Sequence, residues 1–335
     1  MNRLILAVLF VFSIAAPSCS DENTGEETNN VSVLNTPAFA GISDSIRRSP
    51  NNVELLLIRA TRLSQNNYHK AATDDYKKAY ELSGDEGIAM EYASNLLLSN
   101  NTTKAKQVLE EGSRKFPDNT EFSRRLAEIH AQTGNNEAAL TEYNKILQSD
   151  SLNFEALYDK GTLLARLKDT AGAIQALERS FAVLPINLTG MALANIYIAK
   201  KDPRTVEICD IILKRDSAQL LTEPVYMKGI YYNEVNQHEK AIAQFDECIR
   251  RDWKMTDAYI EKGIIYFEQK NIKEALKVFN MAATVSNTDA DVYFWIGRCH
   301  EQQGNRAEAI LNYKRALALD DTFVEAKDAL RRLNS

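Results

Sequence analysis

Residues Tyr226 to Asp252 read YMKGIYYNEVNQHEKAIAQFDECIRRD, and the chain then repeats itself twice. Tyr259 opens YIEKGIIYFEQKNIKEALKVFNMAATV, and Tyr293 opens YFWIGRCHEQQGNRAEAILNYKRALALD. Gly229, Gly263 and Gly297 stand 34 residues apart, as do Ala241, Ala275 and Ala309, and Phe245, Phe279 and Tyr313. Self-similarity at such a period is the mark of a repeat architecture, in which one supersecondary unit buries its apolar face only by stacking on the next.

These residues resemble the tetratricopeptide repeat, a 34-residue unit with a large residue at position 4, small ones at 8, 20 and 27, and an aromatic at 24. Working backward in that register, position 8 is Ala60, Ala93, Ala127, Gly161, Ala194, Gly229, Gly263 and Gly297, with intervals of 33, 34, 34, 33, 35, 34 and 34. Position 20 is Ala72, Ala105, Ala139, Ala173, Ala241, Ala275 and Ala309. The fifth repeat departs, with Thr205 or Val206 there and a spacing one residue short. At 3.6 residues per turn, positions 4, 8 and 11 share one helix face and positions 20, 24 and 27 share another. Small residues at 8 and 20 let two antiparallel helices approach, while Tyr259, Tyr266 and Phe279 fill the space beside them. Position 27 is small in Ala79, Gly112, Cys248, Ala282 and Ala316, where the following unit docks. Thr133-Gly134-Asn135 and Gln303-Gly304-Asn305 carry helix-stopping chemistry, and Pro117 and Pro185 end second helices.

The resemblance implies an all-α fold, a right-handed superhelix (α-solenoid) of about eight helix-turn-helix repeats over residues 51–321. Ala38, Ile42, Ser45 and Pro50 match positions 20, 24, 27 and 32, so residues 37–50 read as an N-terminal capping half-repeat. Phe323, Ala326, Ala329, Leu330 and Leu333 alternate with charged residues, so residues 322–335 read as an amphipathic C-terminal capping helix.

The first residues carry a different signal. Arg3 precedes an apolar run from Leu4 to Ala16, shorter than the about 20 residues that a membrane-spanning helix needs but suited to a cleaved export signal. Ala16-Pro17-Ser18-Cys19 resembles the lipobox of bacterial lipoproteins. Ser18 fits the small residue before the Cys, whereas Ala16 replaces the usual Leu and Pro17 is atypical. The segment that follows, SDENTGEETNN (residues 20–30), has too little apolar area to fold. Together these predict a lipoprotein signal peptide over 1–18, lipidation of Cys19 and an acidic disordered tether over 19–36. The resemblance implies a Gram-negative envelope lipoprotein, held to the membrane through its lipid anchor. By resemblance to lipoprotein sorting signals, Ser20 rather than Asp after the Cys favours the outer membrane, on its periplasmic face or at the cell surface.

Composition narrows the functions. Hydrophobic residues make up 44% and charged residues 26%, with a formal net charge of -6, so no basic face is offered to nucleic acid. Cys209, Cys248 and Cys299 are far apart and lack any C-x-x-C or metal-site spacing, and read as small buried residues. His69, His130, His238 and His300 are scattered, with His130 and His300 at position 11, a packing site. No zinc-protease, nucleophile-elbow or phosphate-loop motif occurs. The expectation is a non-catalytic protein without metal or cofactor.

In proteins of this family positions 2, 5, 9 and 12 commonly face the ligand from the concave side. Position 5 reads Leu57, Met90, Arg124, Tyr158, Met191, Tyr226, Ile260 and Phe294, apolar in all but one. Ile230 and Asn233, Ile264 and Phe267, and Arg298 and Glu301 extend that stripe in repeats six to eight. A large exposed apolar stripe marks an interaction site; the alternative is that these side chains pack on one another or on the tether. On the first reading a protein or peptide partner rests on Tyr226, Ile230, Ile260, Ile264, Phe267 and Phe294, with Asn233 and Arg298 orienting its backbone or a carboxylate. Asn195 follows Met191 rather than Lys, so the clamp that some relatives use for a chaperone-tail carboxylate is not formed. The predicted function is an envelope-anchored adaptor. One rival is an accessory lipoprotein of outer-membrane-protein assembly or secretion. Another is surface glycan capture, for which the near-constant period leaves no room for aromatic-bearing insertions. The pattern does not specify an oligomeric state.

Overall fold

The computed structural model describes residues 33–334. Among them are eighteen α-helices and no strand: α1 (Pro37–Arg48), α2 (Val53–Gln65), α3 (His69–Ser83), α4 (Glu86–Leu98), α5 (Thr102–Lys115) and α6 (Glu121–Gln132), followed by α7 (Asn136–Ser149), α8 (Phe154–Arg166), α9 (Thr170–Val183), α10 (Asn187–Ala199), α11 (Arg204–Arg215) and α12 (Glu223–Glu234). The last six are α13 (His238–Arg251), α14 (Thr256–Glu268), α15 (Ile272–Val285), α16 (Ala290–Gln302), α17 (Arg306–Leu319) and α18 (Val324–Asn334). The predicted signal peptide, Cys19 and residues 20–32 lie outside the described residues.

Local chemistry sets the helix boundaries. Asn52, Asp85, Asn101, Asn135, Asn153, Asp169, Asn271 and Asp289 each accept a backbone N–H of the first turn through the side chain, a cap contributing about 1 kcal/mol. Between the helices of each pair the chain reverses through one left-handed residue, in register at Asn67, Asn100, Gly134, Lys168, Lys201, Asn236, Lys270 and Gly304. Asn and Gly adopt that conformation readily; Lys does so at a backbone cost that the packing of the pair on either side must offset. Pro117 and Pro185 fall just beyond the ends of α5 and α9.

Two compact units divide the chain, one ending at Ile129 and the other beginning at His130. In the first, Leu56, Ala60, Leu63, Tyr76, Leu96, Leu109, Phe122 and Leu126 form one continuous core. In the second, α8 packs on α9, α10 on α11, α12 on α13, α14 on α15 and α16 on α17, and each pair meets the next. Phe245, Phe279 and Tyr313 are fully buried against Gly229, Gly263 and Gly297, so the small and large residues of the repeat meet face to face.

The fifth repeat shows how its irregular spacing is absorbed. Thr205 takes the buried small-residue place, and its hydroxyl donates to the Asp202 carbonyl at 2.8 Å, so no polar group is stranded. Four residues on, the buried Cys209 stands where the fourth repeat has Leu177 and the sixth has Phe245. Cys209 packs there with Ala194, Ile198, Met227 and Tyr231, while Tyr197 belongs to the core of Leu177, Phe181, Leu193 and Ile212, its hydroxyl bonded to Glu178 and its ring beneath the Arg204 guanidinium at 4.4 Å.

Ion pairs fix both ends. Arg59 holds the buried Asp75 carboxylate at 2.6 and 2.7 Å and donates to the Ser43 hydroxyl at 3.0 Å, tying α1 to the first full repeat. Removing one partner of such a buried pair costs about 3–5 kcal/mol, because the other charge stays desolvated. Ser43 in turn donates to the Leu34 carbonyl at 3.0 Å, and Val33 and Leu34 are half-buried on the core. Val33 and Leu34, which fall within the segment predicted as tether, supply apolar area that residues 20–30 lack, and they pack on the core. At the other end, α18 buries Ala326 and Ala329, and Arg332 donates to Glu301 at 2.6 and 2.9 Å.

Candidate functional site

The predicted stripe lies on the first helices of repeats six to eight, α12, α14 and α16. The structure divides its residues into two classes. Ile260, Ile264 and Phe294 are only 6%, 8% and 4% exposed, so the reading that placed them on an open surface is corrected. The cause is packing of α14 directly on α16, together with the C-terminal cap: the Phe323 ring lies 4.9 Å from Phe294, with Tyr313 at 5.8 Å and Trp295 at 5.7 Å. Self-packing, the alternative weighed for the stripe, accounts for these three residues.

Tyr226, Ile230, Asn233, Phe267 and Arg298 remain half-buried and reach the surface. Tyr226 rests against Phe245 at 5.6 Å, and Phe267 sets its edge on Trp295 at 5.4 Å. Asn233 is already engaged, since its Oδ1 lies 3.0 Å from His238 Nδ1 across the turn into α13. The Arg298 guanidinium spreads over Phe267, Trp295 and Phe294 at 5.1, 5.4 and 5.8 Å, which spends its charge on ring faces. Glu301 accepts from Tyr313 at 2.6 Å and from Arg332, and against the cost of burial these bonds hold its carboxyl below the ordinary value. Its role is to hold α18. Trp295, 9% exposed, has no acceptor for Nε1 among the described residues.

Charge lies beside the stripe. Position 2 of the same three repeats is Glu223, Asp257 and Asp291, each 34 residues from the last, all in first turns of their helices. Glu223 and Asp257 are exposed and form no ion pair with any described residue. Partial desolvation and the neighbouring Asp291 push the Asp257 carboxyl above its ordinary value. Asp289, also raised by desolvation, feels Asp257 as well, and desolvation followed by Glu261 and Asp257 raises the Tyr226 phenol. The register that located the glycines contained this signal. Cations on these helices are committed elsewhere, Lys228 to Asp210 at 2.7 Å and Lys262 to Asp246 at 2.5 Å.

A second concavity, about 370 Å³, lies among α9, α10 and α11, lined by Phe181, Leu193, Ile208, Ile211, Tyr197 and Arg204. Three of its polar groups engage one another, through the Tyr197–Glu178 bond and the Arg204–Glu178 pair at 2.6 Å. Among the described residues no cluster of three or more His, Cys, Asp or Glu is placed to hold a metal. No helix among them is long and apolar enough to cross a membrane. Cys209, Cys248 and Cys299 are unpaired and buried, and burial pushes each thiol up to about 12.

Family models described as tetratricopeptide repeat match residues 96–167, 226–290 and 290–323. The chain carries tetratricopeptide repeats. A solved tetratricopeptide repeat protein from Parabacteroides merdae ATCC 43184 is 18% identical, with a TM-score of 0.53, covering 75% of this chain and 99% of its own. The C-terminal part of a repeat-containing protein from Cytophaga hutchinsonii is 15% identical with a TM-score of 0.50, covering 81% and 98%. At such identities the likeness extends to the fold. A comparison with curated proteins found no match. Tetratricopeptide repeats as a class are interaction scaffolds that bind protein or peptide partners, and they are typically non-catalytic.

Proposed function

We propose that this chain is a non-catalytic adaptor, anchored through a lipid on Cys19 to the cell envelope at the outer membrane, that holds a protein partner on the first-helix face of repeats six to eight. The observation that carries the binding site is the combination on that face of half-buried Tyr226, Ile230 and Phe267 with acidic residues recurring every 34 positions. A face built only for solubility would spend its apolar residues in the core, as Ile260 and Phe294 do. The anchor rests on the lipobox-like Ala16-Pro17-Ser18-Cys19 and the polar segment after it.

In-cell photocrosslinking tests the site. A benzophenone side chain at position 267 should capture a distinct protein, while the exposed position 314 on α17 should not. Equal adducts from both positions, or none from 267, would refute the assignment. Membrane fractionation of a Cys19→Ser chain tests the anchor: release to the soluble fraction is expected, and retention would count against lipidation.

A further inference from the structure

The chemistry of the partner follows from what this face lacks. Glu223 and Asp257 present carboxylates that no described cation neutralises, on the same face as the half-buried Tyr226 and Phe267. Asp257 lies within electrostatic reach of Asp291 and Asp289 on the next repeat and of Tyr226 on the preceding one. Like charges gathered on a partly desolvated surface repel one another, and a ligand cation would relieve that repulsion. The nearest basic side chains cannot serve, since Lys228 and Lys262 are bonded to Asp210 and Asp246 and Arg298 is laid over aromatic rings.

We propose that the face of α12, α14 and α16 docks a Lys- or Arg-bearing segment of a partner protein, its cations against Glu223, Asp257 and Asp291 and its apolar side chains on Tyr226 and Phe267. This rests on the scaffold reading and adds the sign of the partner's charge. The 34-residue spacing of the acids places one carboxylate on each of three stacked helices, so the segment crosses them instead of running along one. The chain's own residues 20–30 are excluded as occupant, because they carry Asp21, Glu22, Glu26 and Glu27 and no cation. Nucleic acid is excluded by the same sign.

The test is fluorescence anisotropy with the full chain and two fluorescein-labelled probes, an alternating Leu-Lys peptide and its Leu-Glu counterpart. The Lys peptide should bind and the Glu peptide should not. Asp257→Asn with Asp291→Asn should weaken the Lys peptide about ten-fold, the sum of two partly exposed charge pairs. A control pair on exposed surface outside these three helices, Glu308→Gln with Glu325→Gln, should leave its affinity unchanged. Circular dichroism melting of both isosteric variants checks that the fold persists. Binding of the Glu peptide as tight as that of the Lys peptide, failure of the Lys peptide to bind, equal loss in the control pair, or an unchanged Asp257→Asn/Asp291→Asn variant would each overturn the proposal. A partner captured at 267 together with an unchanged double variant would overturn the charge assignment alone, whereas absence of any adduct at 267 would overturn the scaffold reading beneath it.

Discussion

Replacing Gly263 by Ala inserts one methyl group at the closest approach of two helices, and its cost can be worked from the distances. An ideal Cβ there would stand 2.5, 2.7 and 2.8 Å from Cε1, Cζ and Cδ1 of Phe279. The ring has no room to retreat, being fully buried and stacked on Trp295 at 5.8 Å with an interplanar angle of 12°. Overpacking of this kind costs about 1–3 kcal/mol, and with an immovable ring the upper end applies. The intrinsic helix preference for Ala over Gly returns about 1 kcal/mol, leaving a net loss of about 2 kcal/mol, or roughly 30-fold in the local opening equilibrium. Gly41 is the internal control. It also lies in a helix, α1, yet nothing stands within 4 Å of its ideal Cβ, so Gly41→Ala should stabilise by about 0.5–1 kcal/mol. Hydrogen–deuterium exchange reads both locally: protection of α14 and α15 should fall in Gly263→Ala, and protection of α1 should rise in Gly41→Ala. If Gly263→Ala is as protected as the parent, or if both substitutions move in one direction, the claim that ring position fixes the glycine is wrong.

Thiol chemistry and acid titration give two more expectations. In a Cys19→Ser chain, a thiol reagent at neutral pH should leave Cys209, Cys248 and Cys299 untouched and label all three in denaturant, since burial holds each near 12; labelling of the native chain would refute their burial. Hydrogen bonds from Arg250 first, and then from Arg251, hold the Glu247 carboxyl at about 2 against partial desolvation. A depressed carboxylate contributes stability above its unfolded value of 4.5 that is lost as pH falls toward 2, so the parent and Glu247→Gln should differ at neutral pH and converge at the acid end of that window. A carboxyl resonance of Glu247 titrating near 4.5 would contradict this.

Much of the fold was legible because the repeat encodes geometry twice, in the small residue and in the ring that faces it. Gly229 with Phe245, Gly263 with Phe279 and Gly297 with Tyr313 announce the helix pair from their spacing alone. The fifth repeat was obscure in the sequence because its solution is local: a buried Thr205 satisfied by the Asp202 carbonyl and a buried Cys209 packed with Met227 and Tyr231. The site was only half legible. Periodicity tells which helix face a residue occupies, but a first-helix residue at position 5 can face either solvent or the neighbouring first helix. Ile260 and Phe294 fall to the neighbour and Tyr226 stays at the surface, a difference set by packing that spacing does not encode. Glu223, Asp257 and Asp291 are legible in the same 34-residue register as the glycines.

The C-terminal helix has a consequence beyond its own packing. Phe323 covers Phe294, Ala326 and Ala329 are buried, and Arg332 occupies Glu301. A chain cut at residue 321 would present that surface bare, and it is the same kind of surface that every internal repeat offers to its successor. A second molecule could then continue the stack head to tail, a heterologous interface that yields a ring if its rotation closes and an open filament if it does not. α18 in that sense occupies the face on which a further unit would otherwise stack.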